Sequence, residues 1–443
     1  MLRTSLVLLA VCAAALAQTG PPAKAPVKVV SMTPRDGGVV NASTKELVVT
    51  FDQDMFRGGH SICGGRPLLP KINGRPKWRG DRTLVIPVTL EPDHEYELSL
   101  NCSSGRNIKS KDGVRLTPTR WRFTTLPSEL RPWSEQQRRN QAAFAKLREL
   151  IQTRYAYRER VVEDWSARFE QASARVTNAR TDRAFAVAVR DLLAAAADQH
   201  VSVRYGDKVY APYQPLVEPL YRTFAVRRTF ELQRVSDRVF RGQTEDGIGY
   251  LLITGWQEDV DVERLLGAVA EMAAMKALIL DVRPNTGGDE RLAQRVASWF
   301  VEGEKVYAKH RTIGADGQLG DAVARTVVGS DERFDRPTAL LVGPRVMSSC
   351  EAFVLMMKQA DDVQVIGQKT RGSSGNPVEH DLGNRVHVKL PSWQALRPDG
   401  SCFEGEGIAP DVFVPCTSRD LETSEPTLEK ALELLRARVK AGG

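Results

Sequence analysis

The sequence predicts a multidomain chain: an all-β segment, then a helical segment, then an α/β core. Three observations carry this reading. Short alternating strands recur between residues 27 and 124, separated by turn-rich pieces such as 34–38 and Asp112-Gly113. Helical periodicity then takes over, with Phe185, Val189, Leu192 and Leu193 on one face of the last helix before position 198. From Gly249 onward strands alternate with helices, and the apolar runs at 277–282 and 339–342 suit strands covered on both faces.

Taken in order, strands are expected at 27–30, 47–51, 83–87, 96–100 and 121–124. Strands this short at this spacing make a β-sandwich over 27–126. Ser134 and Gln137 form a capping box for a helix reaching about 152; a second helix starts near Asp164 and a third covers 182–197. These belong to a helical subdomain at 134–200. A strand at 201–203 opens the α/β core, expected to extend to 420. Within it lie strands at 250–254, 277–282, 306–312, 338–342 and 363–366, and helices at 260–274, 289–300 and 348–360. A last helix is expected at 426–443.

Composition sets the class. The 443 residues are 42% hydrophobic and 26% charged, enough apolar material for several cores. The net charge of +7 is spread without a basic block, which argues against nucleic-acid binding. Arg3, the apolar stretch 6–16 and Ala15-Leu16-Ala17 read as a signal peptide over residues 1–17. Cys12 follows Val11, a poor context for lipid attachment. No later segment is apolar enough for stable membrane insertion, so the expected destination is periplasmic or secreted. In an oxidising compartment some of the five remaining cysteines should pair. Cys63 with Cys102 and Cys402 with Cys416 are the pairs that stay within one domain, which leaves Cys350 over.

Four blocks can carry chemistry. Asp281-Val282-Arg283-Pro284-Asn285-Thr286-Gly287-Gly288 puts two glycines just past a buried strand, where backbone N–H groups can approach a ligand. Gly343 to Phe353 runs from a short strand into a helix, with Ser348 at the helix start. A serine there can cap the helix, or its alkoxide can be favoured by the helix N-terminus. Gly367 to Gly375 and Phe403 to Asp411 are glycine-rich, and each alone reads as a surface loop. No cluster has metal-ligand spacing.

In order and spacing these blocks, over about residues 134–420, resemble the C-terminal processing (tail-specific) peptidases and the core of tricorn protease. The stretch at 31–55 resembles bacterial Ig-like modules, making the all-β segment an Ig-like sandwich without chemistry of its own. The family resemblance implies an α/β peptidase core of the crotonase/ClpP-like type, acting on peptide or protein substrates without metal or organic cofactor. It implies Ser348 as nucleophile, three residues before Glu351, and the amides of Ser349 and of Gly287 or Gly288 as oxyanion donors. The tail-specific branch carries a lysine base in the third block, where this chain has Ser373; Lys369 stands four residues earlier. The interval from His200 to Tyr250 is also too short for a PDZ module. The other branch uses a histidine, and Asp198-Gln199-His200 resembles its block, so His200 becomes the general base. Glu404 aligns with the carboxylate that supports that base. Glu406 stays open, since in an extended segment it faces the same side. Two alternatives come from other classes: an inactive ligand-binding protein of the same fold, like interphotoreceptor retinoid-binding protein, or a cell-surface adhesion protein using the Ig-like segment.

Overall fold

The computed structural model describes residues 25–257 and 261–442. The expected signal peptide with Cys12, and the first residue of the helix expected at 260–274, lie outside the described residues. The chain divides into two compact units, one ending at Arg131 and the other beginning at Pro132.

In the first unit two sheets share one core. One contains Val29–Thr33, Glu46–Phe51, Thr83–Thr89 and Lys71–Ile72 in that order, with Lys77–Arg79 also on Thr83–Thr89; the other contains Gly38–Val40, Thr119–Thr125, Glu95–Leu100 and Ile62–Cys63. The alternation in sequence becomes alternation of burial: Leu47, Val49 and Phe51 point into the core and meet Leu98, Trp121 and Phe123. Cys63 and Cys102 form a disulfide. Cys402 and Cys416 do not pair, correcting the second expected bridge. Cys402 packs against the helical cluster, while Cys416 sits with Leu220 and Leu421.

The second unit contains α1 (Trp133–Arg154), α2 (Trp165–Thr177), α3 (Asp182–Leu193), α4 (Thr223–Val226), α5 (Val262–Met272), α6 (Glu290–Ala297), α7 (Ser349–Met357) and α8 (Pro426–Gly442). Asp164 and Thr181 cap α2 and α3 through their side chains. The capping box at Ser134 is not formed: α1 already begins at Trp133, with Pro132 in the cap position and no side-chain cap bond. The third helix stops at Leu193, short of its expected end. A 3₁₀ turn at Ala194–Ala196 and a left-handed Ala197 (φ 47°) end it, and Asp198 is buried.

The core sheet has seven strands, in spatial order β1 (Gln233–Arg234), β2 (Val239–Gln243), β3 (Ile248–Ile253), β4 (Ala277–Asp281), β5 (Thr338–Val342), β6 (Val363–Gly367) and β7 (Val412–Phe413). From β3 to β7 the pairing is parallel. Successive residues supply opposite faces. Leu251, Leu278, Leu280 and Leu340 pack with α5, α6 and α7, while Tyr250, Leu252, Ile279 and Leu341 pack with α8. Covering on both faces is why these strands read as continuous apolar runs.

A separate four-stranded sheet joins distant parts of the sequence. Ser202–Tyr205 pairs with Lys208–Tyr210 on one side and with Val386–Pro391 on the other, and Pro377–Asp381 completes it. This sheet packs on α1, α2 and α3. It ties the segment just after His200 to the chain just beyond Ser373.

One buried ionic cluster anchors the end of β4. Arg283 donates to Asp281 through Nε (3.0 Å) and Nη2 (2.6 Å), and to Glu425 Oε1 at 2.5 Å, beside the start of α8. Tyr250 donates its hydroxyl to Asp281 Oδ2 at 2.7 Å. Arg283→Met should leave two buried carboxylates without their cation and cost about 3–5 kcal/mol, read from urea unfolding of the full chain. A loss under 1 kcal/mol would contradict this role. Alkylation of denatured, unreduced protein should modify Cys350, Cys402 and Cys416 and leave Cys63 and Cys102 unmodified until reductant is added; peptide mass mapping checks the pattern.

Candidate active site

Ser348 lies between β5 and α7 in a conformation that most residues avoid. Its φ is 58° and its ψ −132°, a sparsely populated region costing on the order of 1–3 kcal/mol. It holds the cap position of α7, yet its side chain makes no cap bond, so capping does not account for it. The Ser348 N–H instead donates to the carbonyl of Ser373 at 2.7 Å. The hydroxyl is therefore held at a strained strand-to-helix turn with no cap bond to make and no hydrogen-bond partner among the described residues.

Of the two glycines after β4, Gly287 comes up against this turn and Gly288 against the backbone of Trp256. A Cβ at Gly287 (φ 99°) would stand 2.8 Å from Ser348 Cβ and 2.9 Å from the Met347 carbonyl oxygen; one at Gly288 would stand 2.1 Å from the Trp256 carbonyl oxygen. Only bare backbone fits there. The Gly287 N–H is already used, donating to Asn285 Oδ1 at 2.8 Å. The N–H groups of Gly288 and Ser349 have no partner among the described residues.

Glu351 is the one charged residue in α7, whose nine residues are all buried. Its carboxylate accepts from Thr370 Oγ1 (2.5 Å), Gly372 N–H (2.7 Å) and Ser373 N–H (2.8 Å). Burial nevertheless pushes its pKa up to about 7. The loop 370–373 is thereby fastened beneath the serine. Sequence reasoning used Glu351 only as a motif letter; a lone carboxylate in an otherwise apolar helical run was the signal that it needed buried donors.

His200 reaches the same loop from the far side of the sequence. Its ring Nδ1 is 2.9 Å from Ser373 Oγ, and its backbone N–H donates to Asp198 Oδ1 at 2.8 Å. Desolvation lowers its pKa, opposed by the charge of Asp198. Arg371 ties the segments together, donating to Gln199 Oε1 (2.9 Å) and to the Pro344 carbonyl (2.7 Å). Lys369 is exposed. No hydrogen bond joins His200 to Ser348, or Glu404 to His200, among the described residues.

Glu404 and Glu406 part company. The segment is a turn around Gly405 (φ 79°), not an extended strand, so the expectation that both face one side is corrected. Glu404 is buried and accepts from the Ser374 N–H at 2.7 Å. Its pKa is held well above the usual carboxylate range, by burial first and then by the neighbouring Asp198. Glu406 is exposed and pairs with Arg397 at 3.2 Å.

Comparison with known proteins bears on the segment that holds most of this site. Residues 247–414 match the model of Peptidase family S41. This S41 segment holds both glycines, Ser348, Ser373 and Glu404, while His200 lies before it. The "Probable CtpA-like serine protease" of Staphylococcus aureus (strain bovine RF122 / ET3-1) is 28% identical over 169 residues, 38% of this chain and 33% of the relative. Its namesake in Staphylococcus haemolyticus (strain JCSC1435) is 25% identical over 171 residues, 38% and 34% of the two chains. The match thus spans about a third of the length of these curated relatives. Among solved structures, a peptidase candidate from Parabacteroides merdae ATCC 43184 superposes with a TM-score of 0.60 at 22% identity, covering 67% of this chain and 96% of that one. Mature CPAF superposes with a TM-score of 0.52 at 11% identity, covering 70% and 99%. The structural likenesses show a shared α/β fold, and the S41 match with the relatives' names supports a serine-type peptidase.

The Glu351 carboxyl gives a pH-dependent stability of definite sign. Its folded value of about 7 lies above the ordinary 4.5, so its contribution is full below pH 4.5 and is lost as pH rises through about 7. Glu351→Gln should lower the urea midpoint at both pH 5 and pH 8 and flatten the fall between them. An unchanged slope would show that another group carries it.

Proposed function

We propose that this chain is an exported serine peptidase that hydrolyses peptide or protein substrates through an acyl-enzyme on Ser348, with His200 as general base. The observation that carries the reading is the Ser348 turn. A residue with no capping bond is kept in a strained conformation against Gly287, where no side chain fits, which is costly unless the hydroxyl is used. The expected leader at 1–17 supports export.

In this mechanism His200 takes the proton as Ser348 Oγ attacks the substrate carbonyl carbon. The oxyanion is held by the N–H groups of Ser349 and Gly288. Gly288 is favoured over Gly287 because the Gly287 N–H is committed to Asn285. The tetrahedral species collapses with cleavage of the C–N bond, and His200 gives its proton to the departing amine. Water then attacks the acyl ester, His200 accepts its proton, and Ser348 leaves with the proton returned. Glu404 supports the base indirectly, by fixing Ser374 beside the His200 contact. Its carboxyl is buried there, whereas Glu406 serves the surface.

A serine-reactive phosphonate should label Ser348, and Ser348→Ala should abolish both labelling and turnover. The unfolding midpoint should not change, because no cap bond is lost. Ser349→Ala should remain active, since its part is played by the backbone. His200→Ala should lower kcat/KM by several orders of magnitude. The base works unprotonated, and burial moves its pKa below the usual 6.5; log kcat/KM should therefore rise with pH and level off above a midpoint under 6.5. An active Ser348→Ala protein would overturn the assignment. An inert wild type that resists the phosphonate would favour ligand binding by the same fold.

A further inference from the structure

Ser373 takes no part in the steps above, yet it touches both reacting groups. It is buried, its Oγ lies 2.9 Å from His200 Nδ1, and its carbonyl accepts the Ser348 N–H at 2.7 Å. Its own N–H is fixed by Glu351 at 2.8 Å, so the residue cannot shift without uncovering a buried carboxylate. The Asp198 contact holds the His200 backbone but not its ring. Among the described residues, Ser373 is the ring's hydrogen-bond partner.

We propose that Ser373 is the positioning residue of the base: its Oγ accepts the Nδ1–H of His200, which leaves the Nε2 lone pair to take the Ser348 proton. The inference rests on His200 being the base. A neutral imidazole has one N–H, and the hydrogen bond made by one ring nitrogen decides where that proton sits. Were Ser373 to donate to Nδ1, the proton would occupy Nε2 and the ring could accept nothing from Ser348. A hydroxyl orients the ring without placing a charge on it. The imidazolium formed during reaction is then stabilised by an uncharged partner at Nδ1, with Asp198 acting from the backbone side.

The test is nitrogen NMR of the full chain with 15N-labelled histidine, joined to steady-state kinetics. Wild type above its titration should show His200 protonated at Nδ1, with a pyridine-like Nε2. In Ser373→Ala that preference should be lost, and kcat should fall by roughly 10²-fold or more at nearly constant KM. Ser373→Thr, which keeps the hydroxyl, should restore the tautomer and bring kcat within about tenfold of wild type, the pattern a merely structural residue would not give. Wild type protonated at Nε2 overturns the proposal. So does a Ser373→Ala enzyme with unchanged tautomer and kcat while His200→Ala is inactive, and in that case the base assignment survives. A fully active His200→Ala enzyme overturns the base reading and this proposal together.

Discussion

The Glu351 carboxylate sits where the apolar packing of α7 offers it nothing, and the loop 370–373 supplies three donors to it. A carboxylate left without them would cost several kcal/mol, so the loop has one place to be. That place fixes the rest of the site. Ser373 meets His200 with its side chain and Ser348 with its carbonyl, the next residue meets Glu404, and the Gly405 N–H donates to Gly372 at 2.7 Å. Burial pushes the Glu351 pKa up to about 7, against the pull of these donors.

The first motif divides into two jobs. Asp281 and Arg283 belong to an ionic cluster that locks the end of β4 to the start of α8, with both partners inaccessible to solvent. Gly287 then presents bare backbone to Ser348, and Gly288 to the Trp256 carbonyl, at distances no side chain would tolerate. Rigid anchoring on one side permits close approach on the other. The strain stored at Ser348 is sustained because its N–H and carbonyl are both bonded, to Ser373 and to the Glu351 N–H.

His200 and Ser348 are far apart in sequence, and no local rule brings them together. The pairing of Ser202–Tyr205 with Val386–Pro391 places the chain after His200 beside the chain after Ser373. Arg371 adds a second tie through Gln199 and Pro344. The S41 match begins at residue 247, so it takes in Val386–Pro391 and Arg371 but not His200 or Ser202–Tyr205. The histidine comes from outside the matched segment and is delivered by a sheet.

The strands and helices of the core were legible because burial shapes the pattern: residues 277–281 and 338–342 are buried throughout, and 277–280 and 339–342 are apolar, since both faces are covered. The place of Ser348 at a strand-to-helix turn followed from that pattern, and Gly287-Gly288 could be read as a bare-backbone site. Where a side chain's role depends on a partner distant in sequence, the sequence was silent. The family resemblance favoured Glu404, but facing direction could not separate it from Glu406; the turn at Gly405 buries the first and exposes the second. The sequence offered Cys402 and Cys416 as a pair, but they pack in different clusters. It marked Ser373 merely as the site of a missing lysine, whereas the fold sets its hydroxyl on His200. Periodicity reports which face a residue lies on, because solvent exclusion acts on each element separately. Hydrogen-bond partnership depends on how those elements meet, and that was decided only by the tertiary structure.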